Sequence, residues 1–595
     1  MKRWLSAAAA LALSVPVHAA AAAPVPLSPA GQISKIHLPP GFEIQLVVAD
    51  PHIGQPMNLD FDARGRLWIT HSIEYPYPAK AAGVDPRASH FSGIGDHPPR
   101  DRLTVVSGIG PDGKPAAVKH FVEGLNIPIG HAPLGDGSRA VVYGIPSIFL
   151  CEDKDADGKA DTKSTLYTRF GNVDVHGNAS SFTRWIDGWI YGCHGFSNTS
   201  NIRDGGGNLT KLQSGNTYRF REDGSRFEQF TWGQVNPFGI TFDPLGNLYT
   251  SDCHSRPVYM MLRGAYYPSF GKPHDGMGFG PTIIHHNHGS TGICGPAYYA
   301  ADHFPPEYRD NIFICNPVTG RVHRDSLTAF GSTYRCDIQP DFVASDDKWF
   351  RPVDAIVGPD GALYIADFCN LIIGHYEAPL DHPQRDRTHG RVWRIVWRGQ
   401  DGGAAAAAGM PDLTRLNTAQ LAEALADAKL LVRTLATNYL VDAHRQAAPA
   451  AVRKLLAGSG SPAAQAHGLW VLERLGKLDD AILRGATANA NALVRVHLMR
   501  MLAERGDWND TCSQSALAGL ADKNAFVRRA AADAVGRHPR ASFVAPLLAA
   551  WTGAPAEDTH LVHTIRIALR QHLRQRPVVA DLLGRKFDDD QRRLI

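Results

Sequence analysis

Residues 350–367, with the sequence FRPVDAIVGPDGALYIAD, decide the fold. An apolar segment comes first, Gly358-Pro359-Asp360-Gly361 is typical of a tight turn, and Ala362-Leu363-Tyr364-Ile365-Ala366 alternates after it. Together these features predict a β-hairpin. We interpret the hairpin as part of one blade of a β-propeller.

Weaker copies of this hairpin occur upstream. Each copy has an apolar segment, a turn that contains glycine and a second apolar segment, and the copies cover residues 59–70, 182–191 and 240–252. A hairpin that recurs about every 50–70 residues is typical of radial repetition, with one four-stranded sheet per blade. The alternative is a β-sandwich of unrelated hairpins. Because the turn residues repeat in kind as well as in spacing, the sequence favours an all-β six-bladed propeller over residues 33–398.

Length and charge limit the class of protein. The chain has 595 residues, with 61 basic and 58 acidic side chains and a formal net charge of +3. This length exceeds what one hydrophobic core supports, so we expect at least two domains. The balanced charge gives no sign of nucleic-acid binding. No C-x-x-C-H motif occurs, so we expect no attached haem.

Residues 1–23 have the features of an export signal. Lys2 and Arg3 precede an alanine-rich apolar segment over 5–15, and small residues follow it. This segment is too short to cross a membrane, and no other long apolar run follows. We therefore expect a mature protein that is periplasmic or otherwise exported and has no membrane span.

The composition changes after the predicted propeller. Residues 399–412 are rich in Gly and Ala and predict a linker. Residues 413–590 are rich in Ala, Leu and Arg, and similar helical segments recur in them about every thirty residues. This pattern predicts an all-α HEAT-like solenoid of stacked helical hairpins. The solenoid could dock a protein partner, or it could be a spacer that covers one face of the propeller.

The sequence DKDADGKAD over residues 153–161 is the sharpest metal motif. Alternating carboxylates can surround a hard cation, and Gly158 permits the sharp turn. The twelfth position is Ser164 rather than Glu, so the motif is not a complete EF-hand loop. We predict a structural Ca²⁺ site, with an acidic solvated turn as the alternative. The predicted ligands are Asp153, Asp155, Asp157, the carbonyl of Lys159, and Asp161.

Two further motifs precede predicted blades. His176 lies in Val175-His176-Gly177-Asn178, and a histidine at this position could act as a general base or simply bond to a neighbouring loop. Asn236 lies in Asn236-Pro237-Phe238-Gly239, where it could bind a ligand or cap the blade.

Histidines are densest in the stretch HHNHG over residues 285–289. Imidazoles at this spacing could bind Zn²⁺ or another transition metal. On a strand, adjacent side chains point to opposite faces, so only His286 and His288 would converge. The alternative is a polar loop that binds a sugar.

The chain resembles the membrane-bound dehydrogenases of the planctomycete–verrucomicrobial type, which are similar to soluble quinoprotein glucose and sorbosone dehydrogenases. The matching stretches are residues 304–309, 350–354, 358–367, 372–375 and 390–395. In such relatives PQQ and Ca²⁺ lie on the propeller axis, and a histidine accepts the proton of a sugar hydroxyl. The resemblance implies that His176 is this base and that Asn236, Arg351 and Asp354 contact the cofactor. Val235 stands where the relatives have arginine before the Asn-Pro pair.

These observations predict an exported quinoprotein-like dehydrogenase that oxidises a sugar or polyol. Many members of the family carry a cytochrome domain, and this chain ends at Ile595 without one. We therefore expect a separate cytochrome or other electron acceptor. One alternative is a non-enzymatic propeller that binds a glycan or partner and docks through its helical arm. Another is a cofactor-free, metal-dependent carbohydrate hydrolase or lyase.

Overall fold

The computed structural model describes most of the chain. The described residues are 25–88, 94–290, 292–374, 378–379, 382–403, 409–458, 460–589 and 592. The predicted signal segment and the alanines of the predicted linker, residues 404–408, lie outside them.

The first described elements join blades that form much later in the chain. They are helix α1 (Pro29–Ile33), strand β1 (Ile36–His37) and strand β2 (Phe42–Ala49). In the described part of the chain, the strands that follow form six antiparallel sheets, which we call blades 1 to 6, and one separate two-stranded sheet.

Blades 1 to 3 come from the first half of the propeller. Blade 1 contains β3 (Gln55–Phe61), β4 (Leu67–Ser72), β5 (Asp101–Ser107) and β6 (Ala117–Leu125). Blade 2 contains β7 (His131–Leu134), β8 (Arg139–Gly144), β9 (Ser147–Glu152) and β10 (Thr162–Thr168). Blade 3 contains β11 (Ala179–Arg184), β12 (Ile190–His194), β15 (Asn216–Phe220) and β16 (Phe227–Gln229), with the separate hairpin β13 (Thr199–Arg203) and β14 (Leu209–Gln213) inserted.

Blades 4 to 6 complete the ring. Blade 4 contains β17 (Pro237–Phe242), β18 (Leu248–Asp252) and β19 (Tyr259–Met261). Blade 5 contains β20 (Cys294–Tyr298), β21 (Asn311–Asn316), β22 (Arg321–Phe330) and β24 (Val343–Ser345), with β23 (Thr333–Ile338) paired to β22 and β1 paired to β24. Blade 6 contains β25 (Pro352–Val357), β26 (Leu363–Asp367), β27 (Arg391–Trp397) and, as its outermost strand, β2.

The innermost strands close the ring. Strands β3, β7, β11, β17, β20 and β25 contact one another in this order, and β25 returns to β3. Because β2 comes from the start of the chain and pairs with β27 near its end, blade 6 joins the two ends of the propeller. The prediction of a six-bladed all-β propeller followed by helices is confirmed.

A repeated carboxylate contact fixes the turn after the innermost strand in four blades. An aspartate in the turn accepts a hydrogen bond from an aromatic side chain on the second strand. The pairs are Trp68 with Asp62 (2.8 Å), Tyr191 with Asp187 (2.7 Å), Tyr249 with Asp243 (2.9 Å) and Tyr364 with Asp360 (2.9 Å). Each turn also has a glycine at positive φ, which other residues adopt only with strain.

The helices after the propeller form two rows. One row consists of α3 (Leu430–Ala443), α5 (Pro462–Arg474), α7 (Ala492–Glu504), α9 (Ala525–Arg537) and α11 (Thr559–Leu573), each in contact with the next. The other helices are α2 (Thr418–Ala424), α4 (Ala448–Ala457), α6 (Asp480–Thr487), α8 (Asp510–Leu520), α10 (Val544–Thr552) and α12 (Arg576–Leu583). This stack of helical hairpins is the arrangement that the repeat pattern predicts, and its assignment as HEAT-like stays a prediction. Among the described residues, no helix combines the length and apolar character needed to cross a bilayer.

The first row of helices packs on one face of the propeller. Three of its hydrogen bonds join it to segments just after innermost strands: Leu430 to Ala300 (2.9 Å), Arg474 to Ile186 (3.2 Å) and His497 to Pro244 (2.8 Å). We call this end of the central channel the floor, and the end where innermost strands begin the mouth. A cavity of about 150 Å³ inside the channel is lined by all six innermost strands and by residues of α3. Helix α3 therefore closes the floor.

Candidate active site at the channel mouth

His176 lies at the mouth, just before the innermost strand of blade 3. It is the middle residue of a short 3-10 turn, Val175–Gly177, which the Asp174 side chain caps. Oδ1 of Asp174 accepts the backbone N–H of His176 at 2.9 Å and lies 3.6 Å from Nδ1 of its ring. The His176 side chain is 17% exposed and that of Asp174 only 2%. The exposed part of the imidazole is its carbon edge, because both ring nitrogens are buried, and the carboxylate beside it is buried as well.

Two aromatic side chains from other blades surround this pair. The ring of Tyr75, after blade 1 strand β4, lies 5.1 Å from the ring of His176 between centroids. Phe368, after blade 6 strand β26, packs edge-on against Tyr75 at 5.6 Å. Burial raises the pKa of Tyr75 far above its ordinary value, and the Asp174 carboxylate raises it further. Tyr75 therefore keeps its phenolic proton and is available as a donor.

Asn236 holds the His176 turn in place. Its Nδ2 donates to the backbone oxygen of His176 at 3.1 Å, and its Oδ1 accepts the N–H of Phe196 at 3.0 Å. The Asp252 carboxylate in turn accepts the backbone N–H groups of Val235 and Asn236 at 2.9 and 2.8 Å. Both ends of the Asn236 amide are thus engaged within the protein, in a role that positions His176.

Arg351 is bound to backbone carbonyl groups. Its guanidinium donates to the oxygens of Asn370 (2.8 Å), Leu371 (2.8 Å), Pro317 (2.6 Å) and Val318 (3.1 Å). Burial lowers the pKa of Arg351, against the opposing effect of nearby carboxylates. These contacts tie the loop that follows β21 to the loop that follows β26.

Asp354 lies deeper, where blade 6 meets blade 1. Its Oδ2 accepts the N–H of Leu59 at 3.0 Å and the amide of Asn58 at 3.4 Å. Burial raises its pKa to about 7. Asp354 therefore joins the innermost strands β25 and β3.

The three predicted cofactor contacts do not fit PQQ in the roles that the resemblance implies. PQQ carries carboxylates, which need donors or cations that the protein has not already used. The amide of Asn236 and the guanidinium of Arg351 donate to backbone oxygens, and Asp354 is itself a carboxyl group. Of the four residues that the resemblance names, His176 is the one that a neighbouring carboxylate, Asp174, orients at the mouth.

The predicted calcium loop connects β9 and β10 at the outer edge of blade 2. Asp153, Asp155 and Asp161 each offer an oxygen, and these three oxygens lie within 4.8 Å of one another. Oδ1 of Asp153 is buried and has no hydrogen-bond partner in the described part of the chain. Asp157 lies outside this trio, and its Oδ1 instead accepts the N–H of Lys159 at 2.7 Å. The all-oxygen trio fits a hard cation such as Ca²⁺.

The two predicted metal histidines lie before blade 5. Nε2 of His286 and Nε2 of His288 lie 3.1 and 3.2 Å from the same oxygen, Oδ2 of Asp325 on β22. The structure therefore brings these histidines together, and it adds a carboxylate that the sequence did not suggest.

A sequence-family comparison covers the whole propeller. The model of "Domain of unknown function (DUF7133)" matches residues 28–399, more than half of the chain. The chain belongs to the DUF7133 family. No curated protein matches it in sequence.

Known structures resemble the DUF7133 propeller in fold. A glucose dehydrogenase shares 15% identity, with a TM-score of 0.37, over 59% of this chain and 98% of that one. The PQQ domain of a pyranose dehydrogenase from Coprinopsis cinerea, in its holo form, shares 13%, with a TM-score of 0.37, over 61% and 97%. The apo form of a soluble aldose sugar dehydrogenase from Escherichia coli shares 17%, with a TM-score of 0.32, over 60% and 100%. Similarities this low carry no argument about chemistry.

Two carboxylates that the fold of the DUF7133 chain places beside histidines, Asp174 and Asp325, were not among the site residues expected from the sequence. Asp174 is only two residues before His176, and an aspartate that caps a turn next to a histidine is a local signal that could have found it. Asp325 is 37 residues from His288 and belongs to another strand, so no local pattern connects the two.

Proposed function

We propose that this DUF7133 protein oxidises a hydroxyl group of a sugar or polyol at the channel mouth, with His176 as the general base. The observation that carries the proposal is the buried Asp174 carboxylate beside a partly exposed imidazole. A base must be held in one orientation, and Asp174 does this for His176. Because both ring nitrogens are buried, a substrate hydroxyl would reach the imidazole only after side chains at the mouth move apart. The helices close the floor, so the mouth is the end of the channel that a substrate can approach.

The residues at the mouth have separate roles in this reaction. His176 takes the proton of the substrate hydroxyl, and Asp174 stabilises the imidazolium that results. Tyr75, which keeps its own proton, donates a hydrogen bond to a second substrate oxygen. Asn236 positions the turn that carries His176. The hydride from the same carbon goes to a two-electron acceptor, and we assign no residue of the chain to that acceptor.

The wider setting belongs to the same proposal. We infer export through residues 1–23, electron transfer to a separate cytochrome or other protein, and a structural Ca²⁺ held by Asp153, Asp155 and Asp161. In a hairpin loop at the edge of blade 2, this ion would stabilise the loop and take no part in the chemistry.

A dye-reduction assay on the whole chain tests the proposal. We would supply Ca²⁺, vary the sugar or polyol, and run each substrate with and without PQQ. His176→Gln should lower kcat by about 10²–10⁴-fold, because that is the usual contribution of a general base. His37→Gln is the matched control, since His37 is also paired with a carboxylate, Asp346, but is 61% exposed at its side chain. Equal turnover by His176→Gln and wild type would refute the assignment of the base.

A second function, glycan binding without turnover, is favoured by one observation. Asn236, Arg351 and Asp354 are all engaged within the protein, so the mouth has less to offer a cofactor than the resemblance implies. If no substrate is oxidised under any condition, calorimetric titration with oligosaccharides should still show binding that Tyr75→Ala weakens. In that case a protein partner would dock on the row of helices that faces away from the propeller.

A further inference from the structure

The histidine cluster before blade 5 is built around one buried carboxylate. Asp325 is fully buried, and its Oδ2 is approached by Nε2 of His286 at 3.1 Å and Nε2 of His288 at 3.2 Å. Oδ1 of Asp325 is buried without any hydrogen-bond partner in the described ranges. Among the described residues, its ion pairs are with these two imidazoles and with no lysine or arginine. A buried carboxylate normally requires a cationic partner or a metal ion.

The distances between the three groups suit a shared metal ion. All three candidate ligand atoms lie within 4.8 Å of one another. Zinc binds His nitrogen and Asp oxygen at about 2.0–2.2 Å, so two ligands of a tetrahedral ion lie about 3.3 Å apart. The observed separations of 3.1 and 3.2 Å are close to this value. A divalent ion would thus need only small side-chain movements.

Neighbouring groups hold the cluster in position. The ring of His323 stacks on that of His288, with centroids 4.1 Å apart and planes 10° from parallel. Nδ1 of His323 pairs with Asp341 at 2.6 Å, and its Nε2 contacts the amide of Asn316 at 3.0 Å. His288 is therefore fixed by packing, as expected for a ligand whose orientation is set by surrounding groups.

We propose that His286, His288 and Asp325 form a site for Zn²⁺ or a similar divalent transition metal. Two imidazoles and one carboxylate favour such a metal over Ca²⁺, which prefers oxygen ligands. The side chain of His286 is 22% exposed, whereas those of His288 and Asp325 are 2% and 0% exposed, so the ion enters from the His286 side. Three protein ligands leave a fourth position for water.

Cys336 lies beside the proposed site, and its thiol is a possible fourth ligand that the geometry does not favour. Its Sγ donates to Oδ2 of Asp325 at 3.6 Å, from the strand paired with β22. It is not among the three atoms that already lie together, so we assign it to the surroundings of the metal and not to the ligand set.

Titration of the whole chain with ZnCl₂ tests the site. The chain is first treated with chelator and then kept in excess Ca²⁺, so that the acidic loop of blade 2 does not take up Zn²⁺. Wild type should bind one tight equivalent of Zn²⁺ by calorimetry. His286→Ala and Asp325→Asn should weaken binding at least about 100-fold, since each removes one of three ligands. His37→Ala, which removes an exposed histidine paired with Asp346, should bind as wild type does.

Co²⁺ provides a second measurement that does not depend on a buried variant folding. Co²⁺ bound to wild type should give the intense visible absorption of a four-coordinate ion with nitrogen and oxygen ligands, and ZnCl₂ should displace it. His286→Ala changes the most exposed ligand and is the variant best suited to retain the fold. Failure of wild type to bind a tight equivalent, or unchanged binding by both His286→Ala and Asp325→Asn, would overturn the proposal and leave the two imidazoles themselves as the partners of Asp325.

Discussion

The floor side of the propeller, which the helices cover, and the mouth side bury charged groups in different surroundings. At the floor, carboxylates of the helices meet arginines of the propeller. Asp442 of α3 pairs with Arg184 of β11, and Glu504 of α7 accepts from Arg219 of β15 at 2.8 Å and pairs with Arg263. At the mouth, the buried carboxylate of Asp174 lies beside the imidazole of His176.

We infer from this difference that the buried ion pairs at the floor hold the helices on the propeller, whereas the pair at the mouth is suited to chemistry. A guanidinium stays charged at all accessible pH values, so a carboxylate paired with it is locked as an anion. Although burial opposes it, Arg219 and Arg263 hold the pKa of Glu504 well below its ordinary value. An imidazole can accept a proton from a bound molecule and release it again, so the pair at the mouth suits a reaction step. We therefore expect variants at the floor to affect stability and variants at the mouth to affect turnover.

The largest effect should come from Glu504→Ala. The change leaves the buried guanidinium of Arg219, 1% exposed, and that of Arg263 without their shared carboxylate. Breaking a buried pair in this way typically costs about 3–5 kcal/mol in the free energy of unfolding. Denaturant unfolding followed by tryptophan fluorescence would measure it.

Glu557→Ala is the control for this prediction, because Glu557 is exposed on the same helical region. It should change the unfolding free energy by less than about 0.5 kcal/mol. If Glu504→Ala costs no more than Glu557→Ala, the ion pairs at the floor do not hold the helices on the propeller.

In the channel wall lies a third buried carboxyl group, that of Asp354, which pairs with no arginine or imidazole among the described residues. Burial raises its pKa to about 7 from 3.8. The folded state therefore keeps the proton between about pH 4 and pH 7 while the unfolded state loses it, so this group makes stability fall as pH rises through that window. Asp354→Asn removes the titration and can keep the bond from the N–H of Leu59. As the pH rises from 5 to 8, the free energy of unfolding of wild type should therefore fall by about 1–3 kcal/mol relative to that of the variant.

Unfolding measured at pH 5 and pH 8 decides this prediction. Asp346→Asn is a suitable control because Asp346 is exposed and paired with His37, and it should show no comparable gain. A loss of stability for Asp354→Asn at pH 8 would mean that the carboxylate form is needed where blades 6 and 1 meet.

The hairpins could be predicted because their signals are local. The turn over residues 358–361 lies between β25 and β26 as expected, and Asp360 fixes it through Tyr364. The sequence allowed the helices to cover one face of the propeller, but it could not show which helix closes the floor, since that depends on contacts between residues far apart in sequence, such as Leu430 and Ala300.

In the candidate site too, local signals could be predicted from the sequence and contacts between distant residues could not. His176 was found because a histidine next to a strand start stands out, and His286 with His288 because of their spacing. Arg351 was assigned to a cofactor by resemblance, yet its guanidinium donates to carbonyl oxygens of two distant loops. Partners from other blades decide what a polar side chain can do, and sequence spacing does not report them.

Asp174→Asn tests the mouth with a smaller expected effect. Asparagine caps helical turns about as well as aspartate, so the unfolding free energy should change by less than about 1 kcal/mol. Loss of the negative charge beside Nδ1 should lower kcat about 10–100-fold with little change in KM, because the charge stabilises an imidazolium that forms only during the reaction. Steady-state kinetics on the best substrate of the dye assay would measure this. A drop in stability as large as that of Glu504→Ala would place Asp174 with the structural carboxylates.

Ca²⁺ binding at the loop of blade 2 should give the smallest change in stability. Variants of this loop distinguish the three carboxylates that lie together in the structure from the larger ligand set expected from the sequence. The loop is a group of carboxylates at the rim of blade 2, where Asp153, Asp155 and Asp161 face one another. Ca²⁺ at ten times its dissociation constant should stabilise the fold by about 1.4 kcal/mol. Thermal melts with Ca²⁺ and with EGTA would show a small upward shift of Tm. Asp153→Asn should abolish the shift, whereas Asp157→Asn should keep it, because Asp157 accepts the N–H of Lys159 and lies outside the trio. An equal loss in both variants would instead favour the larger ligand set that the alternating carboxylates suggest.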